Sequence, residues 1–177
     1  MIEDWKKEIA AIVYIKQVLH DEDKFNLWPW HLPEIAATGE QLEEIEKHLG
    51  HDLDLRYRLF LQHANGWQGF YQDVDLFGTN DLLGGEKMAR ALMFLDTIDD
   101  VLRESNLSKD GLLPIAVSNT DIDFFVITRP NSIFPGMVIW FAGGEIERFS
   151  RFDEYFLAMA DYNRQMIALA LSGAEKS

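Results

Sequence analysis

The fold is decided by the stretch LLPIAVSNTDIDFFVITRPNSIFPGMVIWFAGGEIERF, residues 112–149. Runs of β-branched and aromatic residues alternate here with short segments rich in Asn, Asp, Pro and Ser, the pattern of strands joined by turns. The first three runs are residues 112–117, 123–128 and 137–142, and a glycine pair precedes a fourth run through Ile146 and Phe149. Because a parallel return needs a connection of about a dozen residues or more, we expect these strands to pair antiparallel as a meander.

An amphipathic helix is predicted ahead of this region, over residues 2–19, because apolar residues recur there at steps of three and four. Prolines at positions 29 and 33 then remove backbone donors and disfavour helical conformation in the residues before them. Residues 28–33 are therefore predicted to form an extended connector. We expect Trp28 and Trp30 in this connector to fasten the N-terminal arm to the rest of the protein.

Two short helices are predicted after the connector. Thr38 and Gln41 have the spacing of a capping box, in which each side chain satisfies a free backbone amide of the first turn. Asp54 is placed to cap the second helix. We expect that helix to end at Asn65-Gly66, since this pair readily takes positive φ.

The remaining segments complete the domain. A strand-and-turn segment is predicted over residues 70–77, and helices are predicted over 88–95 and 97–104, with Thr97 as the cap of the second. A long amphipathic helix follows residue 153. The predicted elements come in the order helices, meander and closing helix. This order predicts an α+β fold.

The amino-acid composition limits which kinds of partner, chemical site and cellular location are expected. Sixteen basic residues against 30 acidic ones give a formal net charge of −14, which repels nucleic acid and anionic membranes and attracts a basic partner. The absence of cysteine excludes disulfides, thiolate nucleophiles and cysteine-rich metal sites. No apolar run approaches the ~20 residues needed to span a bilayer, so we expect a cytoplasmic protein.

A set of short motifs occurs in a characteristic order from residue 33 onward. They are Pro33 with Ala36-Ala37-Thr38, Ile45-Glu46 ahead of Leu49-Gly50, Tyr57-Arg58-Leu59-Phe60-Leu61, Asn65-Gly66-Trp67, Leu76-Phe77-Gly78, Leu113-Pro114-Ile115-Ala116, Asp123-Phe124-Phe125-Val126, Val138-Ile139-Trp140, and Phe149 and Phe152 ahead of Glu154-Tyr155-Phe156. In this order and spacing the chain resembles the SUKH superfamily, the Smi/Knr-type proteins that are numerous as bacterial immunity proteins.

The resemblance implies an α+β domain, here residues 33–177, in which helices pack on a twisted antiparallel sheet, and it implies no catalytic centre. We expect residues 1–32 to form an arm that packs on this domain. The glycine pairs 84–85 and 143–144 lack the spacing of a phosphate-binding loop, so no nucleotide cofactor is expected, and no metal site is expected either. The resemblance also implies binding and neutralisation of a cognate toxin domain, often a nuclease. The charge agrees with this expectation, because a nuclease presents a basic groove to hold its polyanionic substrate.

Acidic residues in loops and at strand ends are the candidate partner-binding residues. They are Asp73, Asp75, Asp81, Asp121 and Asp123, with Tyr71 nearby in sequence. If the meander brings these loops to one rim, they form an anionic patch suited to lysine and arginine side chains of a partner. The alternative is that they are turn and strand-end residues, each solvated singly.

Two other functions stay open at this point. One is an intracellular regulatory scaffold of the same fold. The other is a hydrolase that uses Asp121 and Asp123, which face the same side of a predicted strand, as its acid and base. His48 and His51, with Glu44 one turn earlier, are interpreted as solvated side chains rather than metal ligands.

Overall fold

The structure is a computed structural model that describes residues 2–174. Its helices are α1 (Trp5–Glu22), α2 (Gly39–Leu49), α3 (Leu55–Leu61), α4 (Thr79–Leu82), α5 (Glu86–Thr97), α6 (Asp99–Glu104) and α7 (Phe152–Ala174). Its strands are β1 (Trp67–Tyr71), β2 (Val74–Leu76), β3 (Leu112–Ser118), β4 (Phe124–Thr128), β5 (Val138–Phe141) and β6 (Glu145–Phe149). This order of elements confirms the predicted α+β class.

The six strands form one sheet in chain order, from β1 at one edge to β6 at the other, and every neighbouring pair is antiparallel. The predicted meander is therefore confirmed, with β1 and β2 added to it. The register places Phe125 opposite Trp140, and Trp140 opposite Glu147 on the last strand. Cross-strand neighbours of this kind share one face of the sheet.

The sheet is strongly curved, as two aromatic rings on its concave face show. Tyr71 ends β1 and Trp140 lies on β5, so three strands separate them, which in a flat sheet amounts to about 19 Å. The centroids of their rings are nevertheless only 5.9 Å apart. The curvature thus brings together side chains that are distant in the sheet order.

Helices α1, α3 and α7 supply the aromatic core on the concave side. Trp5 of α1 contacts Phe60 of α3 at a centroid distance of 5.8 Å and Phe156 of α7 at 5.1 Å. Phe156 in turn stacks on Phe70 of β1 at 5.3 Å. The N-terminal helix is therefore part of the hydrophobic core, and Phe60 and Phe156 at its centre are fully buried.

Helix α5 covers the opposite face of the sheet. Phe94 packs on Phe124 of β4 with ring centroids 6.0 Å apart. Arg90, one turn earlier, donates from Nε to the carbonyl of Ser118 at 2.8 Å and from Nη2 to the carbonyl of Asp121 at 3.0 Å. Helix α5 thereby holds the turn between β3 and β4 in place.

The predicted helix caps at Thr38 and Asp54 are confirmed. Thr38 and Gln41 form the reciprocal capping box of α2, and Asp54 accepts from the amides of Arg56 and Tyr57 at the start of α3. The prediction that Thr97 caps a helix is wrong. Its hydroxyl donates to the carbonyl of Phe94 at 2.7 Å, within α5, a bond that competes with capping the next helix.

The pair Asn65-Gly66 has a different role from the predicted helix stop, because α3 already ends at Leu61. Asn65 Oδ1 accepts from the amide of Thr79 at 2.7 Å, and its Nδ2 donates to the hydroxyl of Thr79 at 2.8 Å. Gly66 has φ of +95° and packs directly on the backbone of Gly78. These residues therefore join the segment after α3 to the start of α4.

The N-terminal arm covers the β1 edge of the sheet. The connector carbonyl of His31 accepts from Trp67 Nε1 at 2.8 Å, and the amide of Glu34 donates to the carbonyl of Gly66 at 3.0 Å. Lys16 of α1 is 3% exposed and donates from Nζ to the carbonyl of Gly69 on β1. An edge strand with free backbone groups is thereby protected.

A buried hydroxyl provides a test of this packing. Tyr155 is fully buried, burial raises the pKa of its phenol, and its hydroxyl has no hydrogen-bond partner among the residues that the structure describes. Because an unpaired buried hydroxyl is destabilising, Tyr155→Phe is expected to leave the free energy of unfolding unchanged or raise it by up to about 1 kcal/mol. Urea unfolding measures the change.

The matched control is Tyr57, an equally buried tyrosine whose hydroxyl donates to the carbonyl of Phe77 at 2.7 Å. Tyr57→Phe leaves that carbonyl without its donor and is expected to lower the free energy of unfolding by about 1 kcal/mol. Equal losses from both substitutions would contradict the assignment of Tyr155 as the unpaired hydroxyl.

Candidate functional site

The turns β1–β2 and β3–β4 are joined through Asp73. Its carboxylate accepts from Ser118 Oγ at 2.8 Å, and from the amide and hydroxyl of Thr120 at 2.7 and 2.6 Å. Burial acts to raise the pKa of Asp73, but the bonds from Thr120 and Ser118 outweigh it and hold the pKa below its ordinary value. Asp73 therefore remains an anion while it orders both turns.

The turn between β3 and β4 carries the next two candidate residues. Asp121 is exposed and accepts from the amide of Ile122 at 2.8 Å, whereas Asp123 is half-buried and accepts from Trp140 Nε1 at 2.6 Å. Burial raises the pKa of Asp123, and the nearby carboxylates of Asp121 and Asp73 raise it further. Three of the predicted acidic residues thus lie at one corner of the molecule.

An aromatic cluster adjoins this corner. Tyr71, Trp140 and Tyr162 of α7 form a triangle with ring centroids 5.8 to 5.9 Å apart. The hydroxyl of Tyr162 donates to Glu147 at 2.6 Å, and this bond is the main reason that the pKa of Tyr162 rises to about 12. Trp140, Tyr162 and Glu147 are all partly exposed. The two hydrogen bonds to carboxylates fix the orientation of the Trp140 and Tyr162 rings.

We call this surface the acidic–aromatic face. It consists of Tyr71, Asp73, Asp121, Asp123, Trp140, Glu147 and Tyr162. Among residues 2–174, no lysine or arginine forms an ion pair with any of its four carboxylates. Their hydrogen-bond donors are hydroxyls, amides and an indole. Arg90 lies beside Asp121 but donates to its backbone carbonyl and not to its carboxylate, so direct pairing does not neutralise these four carboxylates. A cationic side chain is the natural complement to such a surface.

The other two predicted acidic residues lie elsewhere. Asp75 is 5% exposed, accepts from the amide of Gly69 at 2.7 Å, and pairs with Lys87 Nζ at 3.0 Å. Asp81 accepts from the amide of Gly78 at 3.0 Å and lies 3.6 Å from the same Lys87 Nζ. Their charge is compensated by α5, and Asp75 has almost no surface to offer a partner.

Comparison with known families now identifies the chain. A model of the SMI1 / KNR4 family (SUKH-1) matches residues 36–158, well over half of the sequence. The chain belongs to this family. No curated protein matches it. SUKH proteins generally bind toxin partners and act as non-enzymatic immunity proteins.

The matched region of this SUKH protein contains most of the acidic–aromatic face, but Tyr162 lies just beyond it. The sequence analysis did not single out Trp140, Glu147 or Tyr162 as site residues. The glycine pair at 143–144 indicates the β5–β6 hairpin, but a shift in register between Trp140 and Phe141 is what sets Trp140 opposite Glu147, and no sequence pattern indicates that shift.

Within residues 2–174, no group of three or more His, Asp or Glu side chains is arranged to hold a metal ion. No helix of the described chain is both long and apolar enough to cross a bilayer. His51 Nδ1 lies 2.8 Å from the carbonyl of Asp52, a local contact.

Proposed function

We propose that this SUKH protein is an immunity protein that neutralises a cognate toxin, a nuclease domain with a basic groove, by occluding that groove with the acidic–aromatic face. The observation that carries the proposal is the set of four carboxylates around a partly exposed Trp140, with no cation of the described chain paired to them. The aspartate and glutamate side chains take the positions that phosphates of the nucleic acid would otherwise occupy.

Electrostatics supports this partner chemistry. The net charge of −14 favours encounter with a positively charged protein and speeds association by steering. A nuclease must present cationic side chains along its groove in order to hold a polyanion. The uncompensated carboxylates at the face then determine the orientation in which the two proteins dock.

The aromatic side chains supply the contact area. Tryptophan and tyrosine are enriched among the residues that contribute most to binding free energy. Trp140 is held by Asp123 and Tyr162 is held by Glu147, so little side-chain entropy is lost when a partner covers them. The face is therefore organised before the partner arrives.

Binding accounts for this arrangement without catalysis. One oxygen of Asp123 accepts the indole proton of Trp140, and Asp121 caps its own turn through the amide of Ile122. Asp121 thus holds its own turn and Asp123 orients the Trp140 ring, so both carboxylates of the hydrolase hypothesis have structural roles. The proposed role implies a cytoplasmic location, where a nuclease toxin would meet its substrate.

The experiment pairs the protein with the toxin domain encoded by the neighbouring gene. Toxin activity on nucleic acid, cell survival and the dissociation constant are measured for the wild type and for Asp121→Lys, a charge reversal at an exposed position. We expect this variant to weaken binding about 30-fold, which corresponds to about 2 kcal/mol. Raising the salt from about 0.1 to 0.5 M is expected to slow association.

The matched control is Glu44→Lys, an equal charge reversal at an exposed position on α2, away from the face. It is expected to change the dissociation constant by no more than about threefold. A wild type that fails to inhibit the toxin would refute the proposed role. Equal weakening by both variants would show that net charge, and not this face, directs binding. Capture of several housekeeping proteins instead of the toxin would favour the regulatory scaffold.

A further inference from the structure

A second surface lies at the far end of α7, where it meets the end of α1 and the connector. These elements enclose an open groove of about 550 Å³, which we call the α1–α7 groove. Its apolar lining residues are Leu19, Phe25, Leu27, Trp28, Met166 and Leu169. Phe25 is 82% exposed and Leu169 65% exposed. Exposed apolar side chains grouped around a groove are typical of interaction sites on folded proteins.

The loop that carries Phe25 and Leu27 is held by its own hydrogen bonds. Asp23 is buried, and its carboxylate accepts from the amide of Trp28 at 2.9 Å. The amide of Asn26 donates to the carbonyl of Asp23 at 3.1 Å. The exposed apolar side chains therefore project from an ordered turn, which lowers the entropic cost of covering them. Trp28, expected to fasten the arm to the domain, is partly buried and lines this groove together with Met166 of α7.

The charge around the groove indicates what fits it. Asp21 and Glu22 lie at the C-terminal end of α1, where the helix itself contributes partial negative charge. Lys24 is the one basic residue that lines the groove within the described chain. Apolar walls with an acidic rim complement a segment that has a hydrophobic face and basic flanking residues, and they disfavour an anionic membrane.

The groove is continuous with the acidic–aromatic face. Tyr162 and Met166 are one turn apart on α7, and Gln72 Nε2, beside Tyr71, lies 3.9 Å from the sulfur of Met166. Helices α1 and α7 form part of the walls of the α1–α7 groove. An amphipathic helix commonly binds with its apolar face in a hydrophobic groove of this kind. We infer that the α1–α7 groove binds an amphipathic helix with basic flanking residues, supplied by the partner. The identity of that partner rests on the proposed function.

The groove is tested first without any toxin. The probe is a synthetic amphipathic peptide of leucine and lysine, about 18 residues long because shorter isolated helices are marginal in water. Calorimetric titration of the full protein is expected to give a dissociation constant near 10 µM. A lysine peptide with serine in place of leucine is expected not to bind detectably. Comparable binding of both peptides would overturn the inference.

Two substitutions locate the binding. Leu169→Glu adds a negative charge inside the groove, and Ile35→Glu adds the same charge at a residue that is 90% exposed and outside the groove. Non-specific attraction of a basic peptide increases in both variants. We nevertheless expect Leu169→Glu to weaken peptide binding at least tenfold and Ile35→Glu to change it less than twofold. Undiminished binding by Leu169→Glu would overturn the inference.

The same variants separate the two proposals when the toxin domain is used. If Leu169→Glu and Asp121→Lys both weaken toxin binding, the result supports both the acidic–aromatic face and the α1–α7 groove as parts of the toxin interface. Weakening by Asp121→Lys alone overturns the groove as part of the toxin interface and leaves the immunity role intact. Failure of the wild type to inhibit the toxin refutes the immunity role, while the peptide titration still decides what the groove binds.

Discussion

Gly78→Ala is expected to lower the free energy of unfolding by about 3 kcal/mol or more, the largest effect of any substitution considered for this protein. A Cβ atom at position 78 would lie 2.1 Å from the carbonyl oxygen of Asn65 and 2.8 Å from its carbonyl carbon. Both are backbone atoms, so no side-chain rotation relieves the clash. The Gly66–Gly78 contact must open, and the Asn65–Thr79 hydrogen bonds that depend on it are strained. Chemical denaturation measures the loss.

The matched control for this prediction is Gly39→Ala at the first position of α2, where an added Cβ meets nothing within 4 Å. Gly39→Ala is expected to change the free energy of unfolding by no more than about 0.5 kcal/mol. The backbone of Gly78 is extended, with φ of −99°, so any loss at this position is steric in origin. If Gly78→Ala were as stable as the wild type, the backbones of Asn65 and Gly78 could not approach as closely as described.

The stability of the protein is expected to rise between pH 7.5 and 9.5 because of Lys16. Burial lowers the pKa of Lys16 to about 8, from 10.5 for a free side chain. Between these two values the unfolded chain binds more protons than the folded one, so the free energy of unfolding increases with pH. The contribution amounts to roughly 2 kcal/mol over this range. Below pH 8 the charged ammonium destabilises the fold.

The measurement is the difference in unfolding free energy between the wild type and Lys16→Met at each pH, because other titrating groups cancel in that difference. The difference is expected to change by roughly 2 kcal/mol in favour of the wild type as the pH rises from 7.5 to 9.5. Lys7→Met, at an exposed position of the same helix, is the control and should show no such trend. The range stops below pH 10, where unfolded tyrosines ionise while burial keeps Tyr57 and Tyr155 protonated. If the difference in unfolding free energy between the wild type and Lys16→Met did not change with pH, the result would contradict the burial of the Lys16 ammonium group.

Much of the fold was predictable from sequence. Helix caps depend on hydrogen bonds between residues close in sequence, and strand pairing depends on the length of the connecting segments. The capping oxygens of Thr38 and Asp54 act within three residues of their own position. The strands of residues 112–149 are too close in sequence to pair in any way but antiparallel. Thr97 was assigned wrongly because its hydroxyl could either accept from an amide of the next helix or donate back to a carbonyl of α5, and the continuation of α5 through Thr97 decided for the second.

The site was predictable only in part. Asp121 and Asp123 share a turn of the predicted meander, but Asp73 joins them because β2 pairs with β3, a pairing that the sequence analysis did not predict. That Asp75 and Asp81 are paired with Lys87 depends on how α5 crosses the sheet, and no spacing along the chain reveals that crossing. The same limit applies to Tyr162, whose helical periodicity marks it as apolar but not as a neighbour of Trp140.

By itself, the sequence determined the antiparallel meander of residues 112–149, the caps of α2 and α3 and the excess of negative charge, since each follows from short-range geometry or from the residue composition. Only the tertiary structure decided which carboxylates stay uncompensated and which aromatic rings surround them. The reason is the curvature of the sheet, which brings Tyr71 of β1 within 5.9 Å of Trp140 of β5, and the position of α5, whose Lys87 pairs with Asp75 and Asp81 while its Arg90 binds backbone carbonyls of the β3–β4 turn.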